Sequence, residues 1–217
     1  MRYYFLLLLL FITPLLALEP ETFVDSAFIE QLKSSSSYRI AILPIDNYSV
    51  SPESAYHFRQ RVRLQLQSRG YTLLALDYID QQLYGLGVEH AGQLQLVDAE
   101  VLTKTVVADG YLFGVVEQSD VQHGGLYNAY AYSGSLMLQD NTGKQLWSAL
   151  QGRVAKRRWA LDPLNAVIDA IAINEGGEET EALAAVADNL LQTFPEGPVR
   201  RTDELLLDSA TEIEVSH

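Results

Sequence analysis

Four carboxylates follow segments that the sequence predicts as strands, and a facing pair of carboxylates is what a glycoside hydrolase needs for acid–base chemistry. They are Asp46, Asp77, Glu117 and Asp120. Ligands of open α/β sheets bind beyond the strand ends, so these residues are candidates for catalysis on a glycan or for binding a small ligand. Asp77 also suits a helix N-cap, and Asp46 suits a turn with Asn47, so local structure accounts for both without catalysis.

Other catalytic and metal-binding patterns are missing from the sequence. The chain has no cysteine, which excludes disulfides, thiolate metal sites and cysteine nucleophiles. Its 4 histidines are not spaced as paired metal ligands on a helix, and the sequence contains neither a nucleophile elbow nor a phosphate-binding or dinucleotide-binding glycine loop. We therefore expect no metal, no cofactor and no catalytic residue, and we expect that the protein is not an enzyme.

One basic cluster occurs in an otherwise acidic chain. The 217 residues include 15 Lys and Arg against 28 Asp and Glu, a formal net charge of −13. The cluster comprises Arg153, Lys156, Arg157 and Arg158. With Trp147 and Trp159 on either side, it is a candidate site for an acidic protein partner, a copy of the same chain, a polyanion or a glycan. The acidic balance of the whole chain argues against nucleic acid and against electrostatic binding to an anionic membrane.

The amino terminus has the pattern of a secretory signal peptide over residues 1–17. Arg2 precedes an apolar run over Phe5–Ile12, and Ala17 provides a small residue at the cleavage position. The run is shorter than the roughly 20 residues that span a bilayer. We therefore expect export to the periplasm and cleavage after Ala17, with membrane association only through an uncleaved segment or a partner. Leu18 occupies the position at which a lipoprotein signal has its lipidated Cys, which argues against a lipid anchor.

Hydrophobic patterning predicts a β-α-β-α first half of one domain at residues 38–195. The first strand, residues 38–45, contains four consecutive apolar residues, which indicates burial on both faces. Ser51 and Pro52 predict the start of a helix, with the serine as N-cap. The other predicted elements are strands at 71–76 and 111–117 and helices that begin at Asp77 and Asp98.

In the second half of the domain, the hydrophobic pattern predicts an antiparallel meander followed by two helices. Residues 128–139 alternate in side-chain type, as a strand with two different faces does. Asp140–Gly143 predicts a hairpin turn and Lys144–Val154 the returning strand, which we expect to form an edge of the sheet. The helices are expected at 164–173 and 179–194. The predicted fold is α/β with a mixed sheet on which the C-terminal helices pack.

Two segments outside the domain lack the pattern of a core element. We interpret residues 18–37 as a lead-in that ends in a serine-rich joint, Ser34–Ser37. Residues 196–217 carry many acidic residues without a clear apolar stripe, and we interpret them as a mobile tail. Removal of such a tail is expected to cost little stability.

Four segments of the chain, in this order, resemble a known bacterial family. They are RIAILPIDN (39–47), GYTLLALDYIDQQL (70–83), ADGYLFGVVEQSD (108–120) and LMLQDNTGKQLWSALQGRV (136–154). The family consists of bacterial lipoproteins of unknown function typified by a neisserial surface-antigen lipoprotein, and its core is similar to the amino-terminal domain of TolB and to curli-secretion lipoproteins of the CsgG type. The resemblance implies an α/β module that acts through protein contacts at the outer membrane and supplies no catalytic residue. The chain departs from the family at Leu18, where the family has Cys.

The residues and the resemblance together favour a non-catalytic protein-interaction module of the Gram-negative cell envelope, in the periplasm or associated with the outer membrane. Its partner is expected to be an envelope protein or a second copy of the chain. Two alternatives stay open at this point. One is a periplasmic glycan hydrolase that uses the strand-end carboxylates, and the other is a small-ligand-binding protein that uses the crevice beyond the strand ends.

Overall fold

The computed structural model describes residues 20–49, 51–124, 127–159 and 177–198, with the backbone alone described at 118–124, 127–130, 151, 155–159 and 177–178. Seven strands occur in these ranges: β1 (Glu21–Val24), β2 (Arg39–Ile42), β3 (Asp46–Tyr48), β4 (Thr72–Leu73), β5 (Gly110–Gly124), β6 (Tyr127–Asp140) and β7 (Gln145–Trp159). Five α-helices accompany them: α1 (Ser26–Ser34), α2 (Ser54–Ser68), α3 (Leu76–Gly85), α4 (Ala99–Thr105) and α5 (Gly177–Leu190). Short 3₁₀ helices lie at Ala91–Leu96 and Leu191–Thr193. The predicted signal peptide, the predicted helix at 164–173 and the chain beyond 198 fall outside the described residues.

The strands form one mixed sheet. Its order is β1-β7-β6-β5-β2-β4, and β3 lies beside β5 beyond the end of β2. β2 runs parallel to β4 and to β5, whereas β5, β6, β7 and β1 are each antiparallel to the next. The α/β class, with a parallel first half and an antiparallel meander, is therefore confirmed.

A bulge divides the first predicted strand into β2 and β3. Ile42 pairs with Leu112 and Asp46 pairs with Val115. Between these two pairs, the strand has one residue more than β5. Pro44 lies inside the interruption, where its lack of a backbone N–H breaks no ladder hydrogen bond. The extra residue bends the strand, and it places Asp46 at the start of β3.

Helix α2 begins two residues later than the sequence predicts. Its first residue is Ser54, because the predicted start at Ser51 and Pro52 forms a turn. The Asn47 side chain stabilises that turn by donating to the carbonyl oxygens of Ser51 at 2.8 Å and Pro52 at 3.3 Å. The predicted inward stripe is confirmed, since its large members are fully buried: Phe58, Val62 and Leu66.

Of the N-caps predicted for the next two helices, the first is wrong and the second is confirmed. β4 pairs with β2 for only two residues, and α3 begins directly at Leu76, which is buried. Asp77 is therefore not the N-cap; it lies exposed in the first turn of α3. Asp98 does cap α4 as predicted, and its Oδ1 accepts from the N–H of Glu100 at 2.8 Å.

A short strand covers part of the predicted sheet edge. β1, in the segment interpreted as a lead-in, pairs antiparallel with Trp147–Leu150 of β7. The prediction that Lys144–Val154 is an edge is therefore wrong over those residues. The Asp25 carboxylate accepts from the N–H of Ala27 and forms an ion pair with Lys144, which joins α1 to the hairpin. Four residues are too few for a clear alternation, so the sequence pattern did not reveal β1.

The core lies between the sheet and its helices. α5 packs against β6, β7 and α2, and α3 packs against β2. The stripe predicted for the last helix is buried in full: Leu183, Val186, Leu190 and Phe194. Asp188 joins α5 to α2 because its Oδ1 accepts from Arg61 Nε and from Gln65 Nε2, both at 2.7 Å. Among the described residues, no helix is long and apolar enough to cross a membrane.

The chain stays packed beyond the predicted domain end at 195. The N–H of Gly197 donates to the Arg69 carbonyl oxygen at 2.9 Å, and the Tyr71 hydroxyl donates to the Pro195 carbonyl oxygen at 3.0 Å. Pro198 is buried. A Cβ on Gly197 would lie 2.7 Å from the Arg69 carbonyl oxygen, so a side chain there would displace this segment. Residues 196–198 therefore do not behave as the start of a mobile tail.

Candidate binding surfaces: the arm and the strand-end cleft

The three strands of the meander are longer than predicted and extend past the rest of the sheet. β3 accompanies β5 only as far as Glu117, and β1 accompanies β7 only over Trp147–Leu150. We call the three-stranded extension the arm; it comprises Gln118–Gly124, Tyr127–Tyr130 and Ala155–Trp159. At a rise of roughly 3.3 Å per residue, its longest strand reaches about 23 Å.

A pair of glycines lies at the base of the arm. Gly134 of β6 and Gly152 of β7 are directly opposite each other. A Cβ on Gly134 would lie 3.2 Å from Val186 of α5, and one on Gly152 would lie 2.6 Å from Leu190 of the same helix. Because neither position carries a side chain, α5 comes close to the sheet backbone and fixes the base of the arm. We call this pair the glycine notch.

Two bulges lie near the base of the arm. Between the pairs Gly134–Gly152 and Leu136–Ala149, β7 has one residue more than β6. This bulge falls where the pairing with β1 ends. A second irregularity follows Ser119, where β5 has one extra residue. Bulges bend a strand and increase its twist, so they redirect the arm relative to the sheet from which it comes.

Both outer edges of the arm lack a strand partner among the described residues. β5 pairs only with β6 beyond Glu117, and β7 pairs only with β6 beyond Leu150. A strand edge of this kind presents N–H and C=O groups that can pair with a strand of another chain. The sequence predicted an edge on β7, and the structure locates its uncovered part at Gln151–Trp159.

The basic cluster lies on this uncovered part of β7. Arg153 is exposed at the base of the arm, opposite Ser133, and it forms no ion pair with a described residue. The remaining members occupy consecutive positions in the register: Lys156 opposite Tyr130, Arg157 opposite Ala129, Arg158 opposite Asn128 and Trp159 opposite Tyr127. Four cations within six residues therefore follow one unpaired strand edge.

Trp147 does not belong to this surface, which corrects the sequence interpretation. Its side chain is 0% exposed and packs edge-to-face on Phe194, with ring centroids 4.6 Å apart. Its Nε1 donates to the Thr193 hydroxyl at 3.4 Å. Trp147 stands opposite Leu138, on the side of the sheet that the C-terminal segment covers, so it stabilises the core instead of binding a partner.

The four strand-end carboxylates lie on three different elements. Asp46 begins β3, Asp77 lies on α3, and Glu117 and Asp120 lie on β5. Asp46 is half-buried, and burial raises the pKa of its carboxyl. Glu117 is exposed and accepts weakly from the Ser133 hydroxyl at 3.4 Å. The parallel register separates Asp46 and Glu117 by two residues along the sheet.

A cleft of about 590 Å³ opens beyond the carboxyl end of β2. The described residues that line it are Pro44, Arg59, Asp80, Leu83, Tyr84, Val88, Glu89 and His90. It occupies the strand-end position that the sequence predicted for a ligand crevice. However, Asp46, Asp77 and Glu117 are not among these lining residues, so the predicted carboxylates do not converge in it.

Arg59 forms the floor of the cleft. Its Nε and Nη2 donate to the Ile42 carbonyl oxygen at 3.1 and 2.7 Å, and its Nη1 donates to both Asp80 oxygens at 2.8 and 2.9 Å. Since β4 is only two residues long, no strand reaches the Ile42 carbonyl, and the guanidinium takes the place of that strand. Burial lowers the pKa of Arg59, whereas the Asp80 charge raises it. Sequence analysis missed this residue because an arginine within a helix predicts no particular partner.

No family model matches the chain, and no curated protein matches it. Among solved structures, it is similar to lipoprotein GNA1162 from Neisseria meningitidis, at 19% identity over 65% of this chain and 99% of that chain, with a TM-score of 0.49. It is similar to PelC from Paraburkholderia phytofirmans, crystallised as a dodecamer, at 14% identity over 78% and 94%, with a TM-score of 0.41. It is also similar to the LpoB C-terminal domain from Salmonella enterica, at 16% identity over 60% and 90%, with a TM-score of 0.38.

These similar structures include a neisserial lipoprotein, which is the kind of protein that the sequence resemblance named. The finer comparison with TolB and CsgG stays a prediction. Because the three TM-scores lie below 0.5, we infer neither function nor assembly from them.

Proposed function

We propose that this protein is a non-catalytic protein-interaction module of the Gram-negative cell envelope, and that it binds an acidic protein partner along the β7 edge of the arm. The observation that supports this function is the coincidence of two features at Gln151–Trp159. The edge has no strand partner among the described residues, and it carries the basic cluster.

Backbone pairing and charge would act together in such a contact. A partner strand beside β7 would form ladder hydrogen bonds, which give affinity without requiring a particular sequence. The basic cluster would then select partners with acidic side chains and raise the rate of encounter. In a chain with a formal net charge of −13, a local positive segment also directs the acidic partner to one place.

The hydrolase alternative receives no support from the positions of the carboxylates. A retaining or inverting glycosidase needs two carboxyl groups that face each other across the scissile bond. Asp77 and Glu117 lie on different elements, and both are exposed. Burial raises the pKa of the half-buried Asp46, but Asp46 does not line the cleft, and the carboxylates that do line it, Asp80 and Glu89, are not the predicted ones.

The proposed location is the periplasm, reached through the signal peptide predicted at residues 1–17. Amino-terminal sequencing of the protein from fractionated cells tests this location. A periplasmic chain that begins near Leu18 is expected, and a cytoplasmic chain that begins at Met1 would contradict it.

Site-specific crosslinking tests the binding surface. A photo-crosslinking amino acid at Arg157, on the arm, is expected to yield crosslinked proteins in intact envelopes, whereas the same group at Glu100, exposed on α4, is expected to yield fewer. Combining Arg153→Glu with Arg158→Glu should abolish the crosslinks from position 157. The control, Lys33→Glu with Lys104→Glu, changes the charge equally on α1 and α4 and should leave them intact. Equal crosslinking after reversal on the arm would overturn the proposed surface.

A further inference from the structure

An acidic surface lies on α3 beside the strand-end cleft. Asp77, Asp80 and Tyr84 follow one another at spacings of three and four residues, which places them on one side of the helix. Asp80 and Tyr84 line the cleft together with Glu89. Asp77 lies beside this lining without belonging to it, and we call the four residues together the acidic cleft.

The acidic cleft carries negative charge that the described chain does not neutralise. Arg59 lines the same cavity, but Asp80 and the Ile42 carbonyl oxygen already bind its guanidinium. Asp77 and Glu89 are exposed, and neither forms an ion pair with a described residue. Two carboxylates thus remain available to an incoming cation.

The acidic cleft also offers apolar contact area. Tyr84 is 70% exposed, although it lies at the mouth of a cavity whose wall includes the buried Leu83 and Val88. Exposed tyrosines beside a recess are frequent anchors of protein interfaces, because a large ring is buried at a small cost in side-chain entropy. An elongated basic segment would find both charge and an aromatic contact here.

The arm of the same chain has the complementary chemistry. Its β7 strand holds Lys156, Arg157 and Arg158 and ends in Trp159, and Arg153 lies at its base. We infer that the arm of one copy docks in the acidic cleft of a second copy. This inference rests on the proposed function, because it identifies the acidic partner of the arm as another molecule of this protein.

The two surfaces differ, so the contact is heterologous: each copy offers an arm to one neighbour and an acidic cleft to another. Contacts of this type repeat from copy to copy and form a ring if the rotation closes, or a filament if it does not. Association is therefore expected to rise with protein concentration, and oligomers larger than dimers are expected.

A charge-swap experiment on the full-length chain tests the inference. The cleft variant combines Asp77→Lys with Glu89→Lys, and the arm variant combines Arg157→Glu with Arg158→Glu. Neither touches the Arg59–Asp80 pair. Sedimentation velocity should show association of the wild type and a weakening of about tenfold or more in each variant alone, because like charges then meet. An equimolar mixture of the two variants should associate again, since each positive cleft meets a negative arm and each positive arm meets a negative cleft.

Matched controls carry the same charge changes on exposed helix positions elsewhere. Glu30→Lys with Glu100→Lys makes the same change in charge as the cleft variant. Lys33→Glu with Lys104→Glu makes the same change in charge as the arm variant. Both control chains should associate like the wild type. If the double lysine variant of the cleft fails to fold, Glu89→Gln with Tyr84→Ala provides a milder pair that should weaken association in the same direction.

Two results would overturn the inference. One is a wild-type chain that stays monomeric over the concentration range, and the other is a mixture of variants that fails to associate. If position 157 still crosslinks to other envelope proteins in either case, the proposed function stands and only the identity of the partner is wrong. If those crosslinks are absent as well, both proposals fail.

Discussion

The sheet has two regions that differ in what surrounds them. In the body, β2, β4 and the near halves of β5, β6 and β7 pack against helices, and β1 covers one edge. In the arm, the same three long strands continue without a strand partner on either outer edge among the described residues. The same hairpin therefore contributes to stability at one end and is available for binding at the other, and substitutions should separate the two roles.

Arg59→Leu should have the largest effect on stability. It removes the donors to the Ile42 carbonyl oxygen and leaves Asp80 unpaired, which should lower the free energy of unfolding by about 3 kcal/mol. Most of this loss comes from the buried carbonyl, because the Asp80 side chain is 48% exposed and water stabilises its charge. Urea unfolding measures the change.

Arg63→Leu is the matched control for that experiment. Arg63 lies one turn further along α2 and is only partly buried, so its replacement should change the unfolding free energy by about 0.5 kcal/mol or less. If the two substitutions had equal effects, Arg59 would not act as a substitute for a missing strand.

Gly152→Val should destabilise the junction between the body and the arm. The added Cβ would lie 2.6 Å from Leu190, so α5 must shift away from the sheet, at a cost of about 2 kcal/mol. Gly85→Ala serves as the comparison, because a Cβ there meets nothing within 4 Å. Thermal unfolding of both variants would show whether the glycine notch is needed; a stable Gly152→Val chain would mean that it is not.

Removal of the docked segment after Phe194 should have a smaller effect. A chain that stops at Phe194 loses the hydrogen bonds of Gly197 and Tyr71 and the burial of Pro198, and should be about 1–2 kcal/mol less stable than a chain that stops at Pro198. Comparison of the melting temperatures of these two chains tests the position of the domain end. Identical values would restore the sequence prediction that the tail begins at 196.

Asp25 should make the stability of the body depend modestly on pH in the acidic range. The hydrogen bond from Lys144, together with that from the Ala27 N–H, holds the pKa of Asp25 below the 3.8 of an unfolded chain. A carboxyl of this kind stabilises the folded chain above that value, and its contribution is lost as the pH falls through the lower, folded pKa. Unfolding followed from about pH 6 downward should therefore show a steeper loss of stability below about pH 4 for the wild type than for Asp25→Asn. Glu30→Gln, on the exposed side of α1, should leave the wild-type curve unchanged.

Charge reversal on the arm should have the smallest effect on folding. Arg157→Glu with Arg158→Glu alters the part of β7 that pairs with β6 alone, so the free energy of unfolding should change by about 0.5 kcal/mol or less. Circular dichroism melting of the purified variant checks this expectation. A large loss of stability would show that the arm belongs to the body, and the distinction between the two regions would fail.

The helices and strands whose apolar residues recur at a regular spacing could be predicted from the sequence. The alternation that ends in the Asp140–Gly143 turn identified the hairpin, and Gly143 has a positive φ of 82°, a conformation that hairpin turns favour and glycine adopts readily. The helical stripes of α2 and α5 were equally clear. By contrast, the four residues of β1 and the two of β4 are too short for any period, and their positions depend on pairing with distant residues.

The binding surfaces were only partly predictable for a related reason. The charges of the basic cluster are visible in the sequence, but the burial of Trp147 depends on Phe194, 47 positions away. The acidic cleft depends on the short length of β4, which turns the chain early into α3 and brings Asp80 to Arg59. Such contacts arise from the fold as a whole and have no signature in a local pattern.

The glycine notch determines how precisely the angle between the arm and the body is fixed in any assembly that uses the arm. At Gly134 and Gly152 no sheet side chain separates the backbone from α5, so any shift of this helix is passed directly to the base of the arm. With an arm of about 23 Å, a rotation of roughly 10° at this point would displace the tip by about 4 Å, close to the spacing of two neighbouring strands. The number of copies in a closed ring would then depend on the position of one helix against two glycines.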